Sequence, residues 1–343
     1  MSWPKFWLKA DQNRIAWQSR LLMPLSWLVC RTARNRLKAF EAHPPVKMSQ
    51  AKVIVVGNLV VGGSGKTPFI LWLAEELKQA GLSCGIVSRG YGGKAKTWPQ
   101  SVTADSDPNL VGDEPVVLAK KLQVPVVVSP KRAEAVAYLE KMLTDKGEHL
   151  DVIISDDGLQ HFAMARDLEV AMFDGERGLG NGLCLPAGPL REPKRRLKKV
   201  DFVVSNGTLR YPLAIADNIE VMRLEPLCFR SVKSPDNTLP TDAFKNQAVY
   251  AIAGIGNPQR FKRTLKRLGI IPELKPFPDH QAYQPKDFDW LKQQSEPIPL
   301  LMTEKDAVKC RAFAEDDWWY LEVQPQCSDA FAKRLNVKLK TIN

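Results

Sequence analysis

The stretch that decides the fold is VIVVGNLVVGGSGKTPFILWLAEEL, from Val53 to Leu77. It begins with an apolar, β-branched run and passes into a turn containing Gly62, Gly63 and Gly65. From Thr67 the apolar residues recur at helical spacing as far as Ala80, and Gly81 ends the pattern. Strand, glycine-rich turn and helix form the setting of a phosphate-binding loop. Backbone N–H groups converge on an anion at a helix N-terminus, a lysine reaches the β- and γ-phosphates, and a hydroxyl serves Mg2+. Here Val60, Val61, Gly62, Gly63, Ser64, Gly65, Lys66 and Thr67 are the candidate nucleotide-binding residues. The strict pattern G-x-x-x-x-G-K-[ST] nevertheless fails, because its first glycine would fall on Val60. That position requires only a turn, and Pro68 suits the first turn of a helix. A purely structural glycine turn is the competing reading.

Downstream, strand-like and helix-like segments alternate. Cys84–Ser88, Val124–Ser129, Asp151–Ser155, Leu168–Phe173 and Asp201–Ser205 read as strands, with helices over Pro115–Lys121 and Arg132–Leu143. Near-continuous apolar strands joined by helices predict a parallel sheet covered on both faces. The pattern weakens around Val221–Asp242, where Pro226, Pro235 and Pro240 occur, and then restarts. The expected organisation is an N-terminal segment over 1–40, a core over 41–222, a linker over 223–243, and a smaller α/β domain over 244–343 whose C-terminal end could pack back on the core.

The chain has 343 residues and a formal net charge of +11, which points to an anionic partner: nucleic acid, a membrane surface or a phosphorylated substrate. Its six cysteines show no C-x-x-C spacing, so neither a disulfide framework nor a zinc site is expected. Residues 1–40 hold four of the nine tryptophans, eight Lys or Arg and one acid, Asp11. The longest apolar run there, Leu21 to Val29, is far short of the roughly 20 residues that span a bilayer. Tryptophan beside lysine and arginine is the composition of a helix lying in a membrane interface. A helix packed on the protein's own core is the alternative.

Other motifs carry chemistry. In DVIISDDGLQH an apolar strand ends in Asp156 and Asp157, the form of a phosphate loop's metal partner, and Gln160 and His161 follow at the same sheet edge. In LVGDEP, Asp113 is a candidate base for an acceptor hydroxyl, or an acidic helix start. In SPKRAEA, Lys131 or Arg132 could neutralise charge near the phosphates. LPAGPLREPKRRLKK holds Arg191, Glu192 and a basic run that is either a solvated face or an anion contact. His280 lies in the proline-rich PFPDHQAY. The sequence AGIGNPQRF has Gln259 where a dinucleotide fingerprint needs a third glycine, so NAD is discounted.

Taken in order, GNLVVGGSGKTP, RGYGG, GDEP, DDGLQH, LPAGPLREP, FPDHQAY and TEKDAVK resemble the tetraacyldisaccharide 4′-kinases of lipid A biosynthesis, over nearly the whole chain. In that family the loop starts without the first glycine. The resemblance implies a P-loop NTPase-type three-layer α/β/α domain, a second, smaller α/β domain that closes over the nucleotide, and an N-terminal membrane-interface helix. It implies transfer of the γ-phosphate of ATP to the 4′-hydroxyl of an acylated glucosamine disaccharide 1-phosphate, giving lipid IVA. The enzyme would work with Mg2+ at the cytoplasmic face of the bacterial inner membrane, peripherally, and without nucleic acid. By the same resemblance Asp113, assisted by His280, and Lys66 are catalytic. Thr67, Asp156 and Asp157 serve the metal, and Tyr91, Arg132, Gln160, His161, Arg191 and Glu192 lie near substrate or cleft. Gln281 stands where many members have a second histidine. The competing classes are a membrane-associated nucleotide switch, although no N-K-x-D motif occurs, and a soluble small-molecule kinase.

Overall fold

A computed structural model describes residues 3–8, 15–213, 218–255, 257–278, 281–291 and 298–342. The chain divides into two compact units. The larger comprises Pro4–Arg223 with Pro325–Asn343, and the smaller Met1–Trp3 with Leu224–Gln324.

In the larger unit a helix α1 (Trp17–Ala42) precedes β1 (Lys52–Asn58) and α2 (Lys66–Gln79). There follow β2 (Cys84–Ser88), β3 (Gln100–Val102), α3 (Pro108–Val111), α4 (Asp113–Leu122), β4 (Val126–Val128), α5 (Arg132–Thr144), β5 (Val152–Asp156), β6 (Leu168–Asp174), β7 (Phe202–Asn206) and the start of β8 (Ile219–Ser231). The sheet order is β8-β7-β6-β1-β5-β2-β4-β3. Its pairs are parallel except for the edge strand β3, which runs antiparallel to β4. β1 lies between β5 and β6, and all but its first residue are buried, as the β-branched run requires. α2 buries Phe69, Ile70, Trp72, Leu73, Ala74 and Leu77.

In the smaller unit β8 continues, followed by β9 (Thr238–Leu239), β10 (Ala248–Ala253), α6 (Pro258–Arg267), β11 (Ile271–Pro276), β12 (Leu300–Thr303), α7 (Glu304–Cys310) and β13 (Trp318–Gln326). The order is β11-β10-β12-β13-β8, with β9 antiparallel to β8. One core cluster gathers Phe229, Phe244, Phe261 and Leu301, and another gathers Tyr250, Phe288, Met302 and Trp318. The last helix, α8 (Asp329–Thr341), belongs to the larger unit. There Phe331 packs on Trp72 at 5.4 Å and on Phe202 at 5.3 Å.

Two expectations are corrected and one is met. The span 223–243 is not an irregular linker, because β8 runs through Pro226 to Ser231 and β9 follows. Proline there misled the reading; a strand tolerates it where the missing N–H is not needed by a neighbour. The expected N-terminal helix is present as α1, which starts at Trp17, and Lys5–Trp7 form a separate short 3-10 turn. The cysteines are not all free, for Cys30 of α1 is joined to Cys184 across a Cα–Cα distance of 6.2 Å. These two residues are 154 positions apart, so only tertiary packing brings them together.

Candidate active site

The phosphate-loop stretch sits at the C-terminal end of β1, where open α/β sheets bind ligands. Within Leu59–Thr67, positive φ is confined to Gly62 (98°) and Gly65 (83°). Gly65 is also the residue that caps α2, and a Cβ there would lie 2.0 Å from Asn206 Nδ2. Glycine is therefore required on both conformational and steric grounds. Val60 has a different task. It forms an antiparallel bridge with Leu190 and is 3% exposed, while the Val61 amide donates to Pro189 O at 3.0 Å and the Arg191 amide to Leu59 O at 2.7 Å. This entry to the loop is an extended residue paired with a distant segment, so a branched apolar side chain suits it and glycine is not needed.

Charge converges beside the loop. Lys66 Nζ lies 3.4 Å from Asp157 Oδ1, and Arg191 Nη1 donates to both Asp157 oxygens at 3.4 and 3.3 Å. Burial alone would lower the Lys66 pKa. The charges of Asp157, Asp156 and Glu114 outweigh it, and the pKa is raised. Burial opposes ionisation of Asp157, but Lys66 and Arg191 overcome it and hold the carboxyl down at about 2. Its neighbour Asp156 responds in the opposite sense. Burial, then Glu114, push it up to about 7. Ser88 Oγ donates to Asp156 Oδ2 at 3.0 Å, whereas Asp156 Oδ1 is buried without a hydrogen-bond partner, as is Ser64 Oγ. Asp157 also takes a left-handed backbone, φ 48°, which turns the two adjacent carboxylates in different directions.

A second layer fixes these groups. Gln160 Nε2 donates to Glu192 Oε1 at 2.7 Å and to Asn58 O at 3.1 Å, and Arg191 Nη1 donates to Gln160 Oε1 at 3.3 Å. Arg132 Nη2 donates to the carbonyls of Asp156 and Asp157 at 3.3 and 3.0 Å. Of the two cations at the start of α5, Arg132 is the buried one; Lys131 is exposed and pairs with Glu134 at 2.8 Å. His161 is held near 4 by burial and by Arg132, Arg166, Arg89 and Arg36, so its ring is neutral at physiological pH.

Lys66, Asp156, Asp157, Gln160, Arg191, Glu192 and Arg132 therefore form one connected cluster. Asp113 begins α4 behind Gly112, where an added Cβ would meet Tyr91 O at 2.7 Å; the RGYGG and GDEP turns thus pack together. Glu114 acts electrostatically on both Lys66 and Asp156, which sets this first turn beside the cluster. The Tyr91 side chain is 69% exposed. His280 lies outside the described residues.

Sequence reasoning missed a buried ion network behind the cluster. Arg196 Nη2 donates to Glu169 Oε1 and Oε2 at 2.5 and 2.6 Å, Arg166 Nη1 donates to Glu169 Oε1 at 3.0 Å, and Arg196 Nε lies 3.5 Å from Glu192 Oε2. Arg196, read from sequence as part of a basic run, is 4% exposed. The available signal was Glu169 itself. An acid at the second position of the LEVAMFD strand, buried well before the Asp174 that ends it, calls for a cation partner.

Comparison with known proteins places this arrangement. The family model for tetraacyldisaccharide-1-P 4′-kinase matches residues 18–340. A tetraacyldisaccharide 4′-kinase of Hydrogenovibrio crunogenus is 56% identical over 339 residues, covering 99% of this chain and 98% of the relative. One from Methylobacillus flagellatus is 45% identical over 339 residues, covering 97% of this chain and 96% of the relative. The crystal structure of LpxK from Aquifex aeolicus in complex with ATP superposes with a TM-score of 0.73 at 30% identity, covering 94% of this chain and 99% of that one.

Proposed function

This chain belongs to the tetraacyldisaccharide-1-P 4′-kinase family, and on that premise we propose that it transfers the γ-phosphoryl group of ATP to the 4′-hydroxyl of a tetraacylated glucosamine disaccharide 1-phosphate, giving lipid IVA. The observation that carries this reading is the convergence of Lys66, Asp157 and Arg191 on the loop that opens α2.

Phosphoryl transfer asks a protein for positioning and for positive charge where negative charge develops. The loop amides and the α2 N-terminus cradle the β- and γ-phosphates. In the free enzyme Lys66 rests on Asp157; with nucleotide bound, its ammonium turns to the phosphate oxygens. Arg191, held by Asp157 and Gln160, supplies a second cation at the same edge. Asp113 orients the acceptor hydroxyl and takes its proton, with His280 assisting.

Mg2+ fits the donors present. Among the described residues no group of three or more His, Cys, Asp or Glu could cage a metal. Mg2+ does not require such a cage, because it keeps several waters and phosphate oxygens and takes one or two carboxylates. The unpartnered, buried Asp156 Oδ1 would be one such ligand, with the Thr67 hydroxyl and Asp157 as the others. Held there, the ion would supply positive charge that offsets the charge of the phosphates.

The acylated substrate is reached at an anionic membrane surface, the cytoplasmic face of the inner membrane. α1 exposes Trp17 (70%), Leu21 (73%), Leu25, Trp27 and Leu28, with Arg20 and Arg31 beside them. No helix among the described residues is long and apolar enough to cross a membrane. The arrangement suits a helix lying in the interface.

The test is phosphate transfer from labelled ATP to the micellar disaccharide. Asp113→Ala is expected to lower kcat by roughly 10²–10⁴ while leaving the KM for ATP near that of the parent. Undiminished turnover in that variant removes Asp113 as the base.

A further inference from the structure

We propose that Ser19 and Ser26 of α1 are positioning residues for phosphoryl transfer, holding the phosphate loop through the segment 181–190. The proposal rests on the reading of residues 60–67 as that loop.

Helix α1 spans 26 residues, yet its only buried side chains are two serines. They are seven positions apart and so share one face. Ser19 Oγ donates to Ala187 O at 2.8 Å, and Ser26 Oγ donates to Cys184 O at 2.8 Å. Asn181 joins the same contact: its Nδ2 donates to Ala187 O at 2.8 Å and to Ser19 Oγ at 3.0 Å. Cys30, one turn beyond Ser26, is bonded to Cys184 itself. The Trp7 indole adds a bond to Pro186 O at 2.9 Å.

The segment gripped in this way is internally stiff. Gly188 N donates to Cys184 O at 2.9 Å, Leu185 N to Leu190 O at 2.8 Å, and Leu190 N to Leu183 O at 3.1 Å. Cys184, Ala187 and Leu190 are fully buried. Its far side is the partner of the phosphate loop: Leu190 bridges Val60, and Pro189 O accepts from the Val61 amide. The next residue, Arg191, is the cation on Asp157. One hydrogen-bonded path thus runs from the polar face of α1 to the first residues of the loop and to Arg191. Val60 lacks the freedom of the glycine that the strict pattern has there, so the loop's entry is set from outside, by this segment.

Ordinary helix docking would bury large apolar side chains, and α1 leaves Trp17, Leu21, Leu25, Trp27 and Leu28 exposed instead. The buried serines are directional contacts that fix where the segment sits rather than how much apolar area is covered. Replacing them is tolerable for folding, because Ala187 O keeps the Asn181 donor and Cys184 O keeps the Gly188 donor.

The experiment uses full-length protein with Ser19→Ala and Ser26→Ala combined, assayed with the disulfide intact and after dithiothreitol. In the parent, both states have the same kcat, because the serines hold the segment. In the double variant the Cys30–Cys184 link substitutes for them. The oxidised form keeps kcat within about twofold, and reduction lowers it by at least about tenfold, a geometric loss. Binding to anionic phosphatidylglycerol vesicles stays at the parent level, because the exposed face is unchanged. Deuterium uptake of peptide 59–66 rises in the reduced variant while that of β6 does not. Ser26→Thr with Ser19 retained restores the hydroxyl and the rate. The proposal is overturned if the reduced double variant keeps kcat and 59–66 exchange at parent values. It is equally overturned if kcat falls only in step with vesicle binding, or if exchange rises uniformly across β1 and β6. Lys66→Ala assayed alongside reports on the phosphate-loop reading separately; an active Lys66→Ala enzyme would sink that reading and leave the contact between α1 and the segment standing.

Discussion

Two helices of the larger unit have opposite insides. α2 buries Phe69, Ile70, Leu73 and Leu77 and turns Glu75, Lys78 and Gln79 outward. α1 buries Ser19 and Ser26 and turns Trp17, Leu21, Leu25, Trp27 and Leu28 outward. α2 is an ordinary water-facing helix whose apolar stripe finds the sheet. α1 sets two serines against the protein and leaves Trp17, Leu21, Leu25, Trp27 and Leu28 exposed, the side chains that the proposed membrane contact would cover. The comparison separates the job of α2, carrying the loop on a packed core, from the job proposed for α1, meeting the surface that holds the acylated substrate.

Substitutions should sort along the same line. Leu73→Ala in α2 removes a fully buried side chain and is expected to cost about 2–5 kcal/mol of unfolding free energy in urea titration. Trp17→Ser with Leu21→Ser is expected to change stability by no more than about 0.5 kcal/mol. The same pair should weaken vesicle partitioning by about 2–4 kcal/mol, measured by sedimentation with liposomes. If that pair destabilises the fold as Leu73→Ala does, the outward face of α1 is a protein contact and the comparison breaks. Arg31→Ala should take away about 1 kcal/mol of binding to anionic vesicles and nothing from binding to zwitterionic ones. Rising salt should weaken the anionic binding alone.

Sequence made the α2 side of this contrast legible and the α1 side only partly so. The β-branched run, the glycines and the apolar period of Thr67–Ala80 are local signals, and strand, loop and helix followed from them. Asp156 and Asp157 at the end of β5 were legible for the same reason. The function of Val60 was not, because it depends on Leu190, 130 positions away. The inward face of α1 was hidden too, since two serines carry no hydrophobic signal. β8 was lost to its proline. Arg196 and Glu192 of the Glu169–Arg196–Glu192 network lie in a basic run that composition assigns to solvent, and only Glu169, buried early in β6, marked it. The motifs that did identify the family were read in their order along the chain, which no single periodicity contains.

The central claim, that the loop opening α2 carries phosphoryl transfer to an acylated disaccharide, is tested most directly by one measurement. This is single-turnover transfer of labelled γ-phosphate to tetraacyldisaccharide 1-phosphate by Lys66→Ala, beside the parent protein. The account predicts a fall in the transfer rate of at least about 10³, the scale of losing one preorganised cation at developing charge, with the fold and vesicle binding intact. Transfer at the parent rate would contradict it.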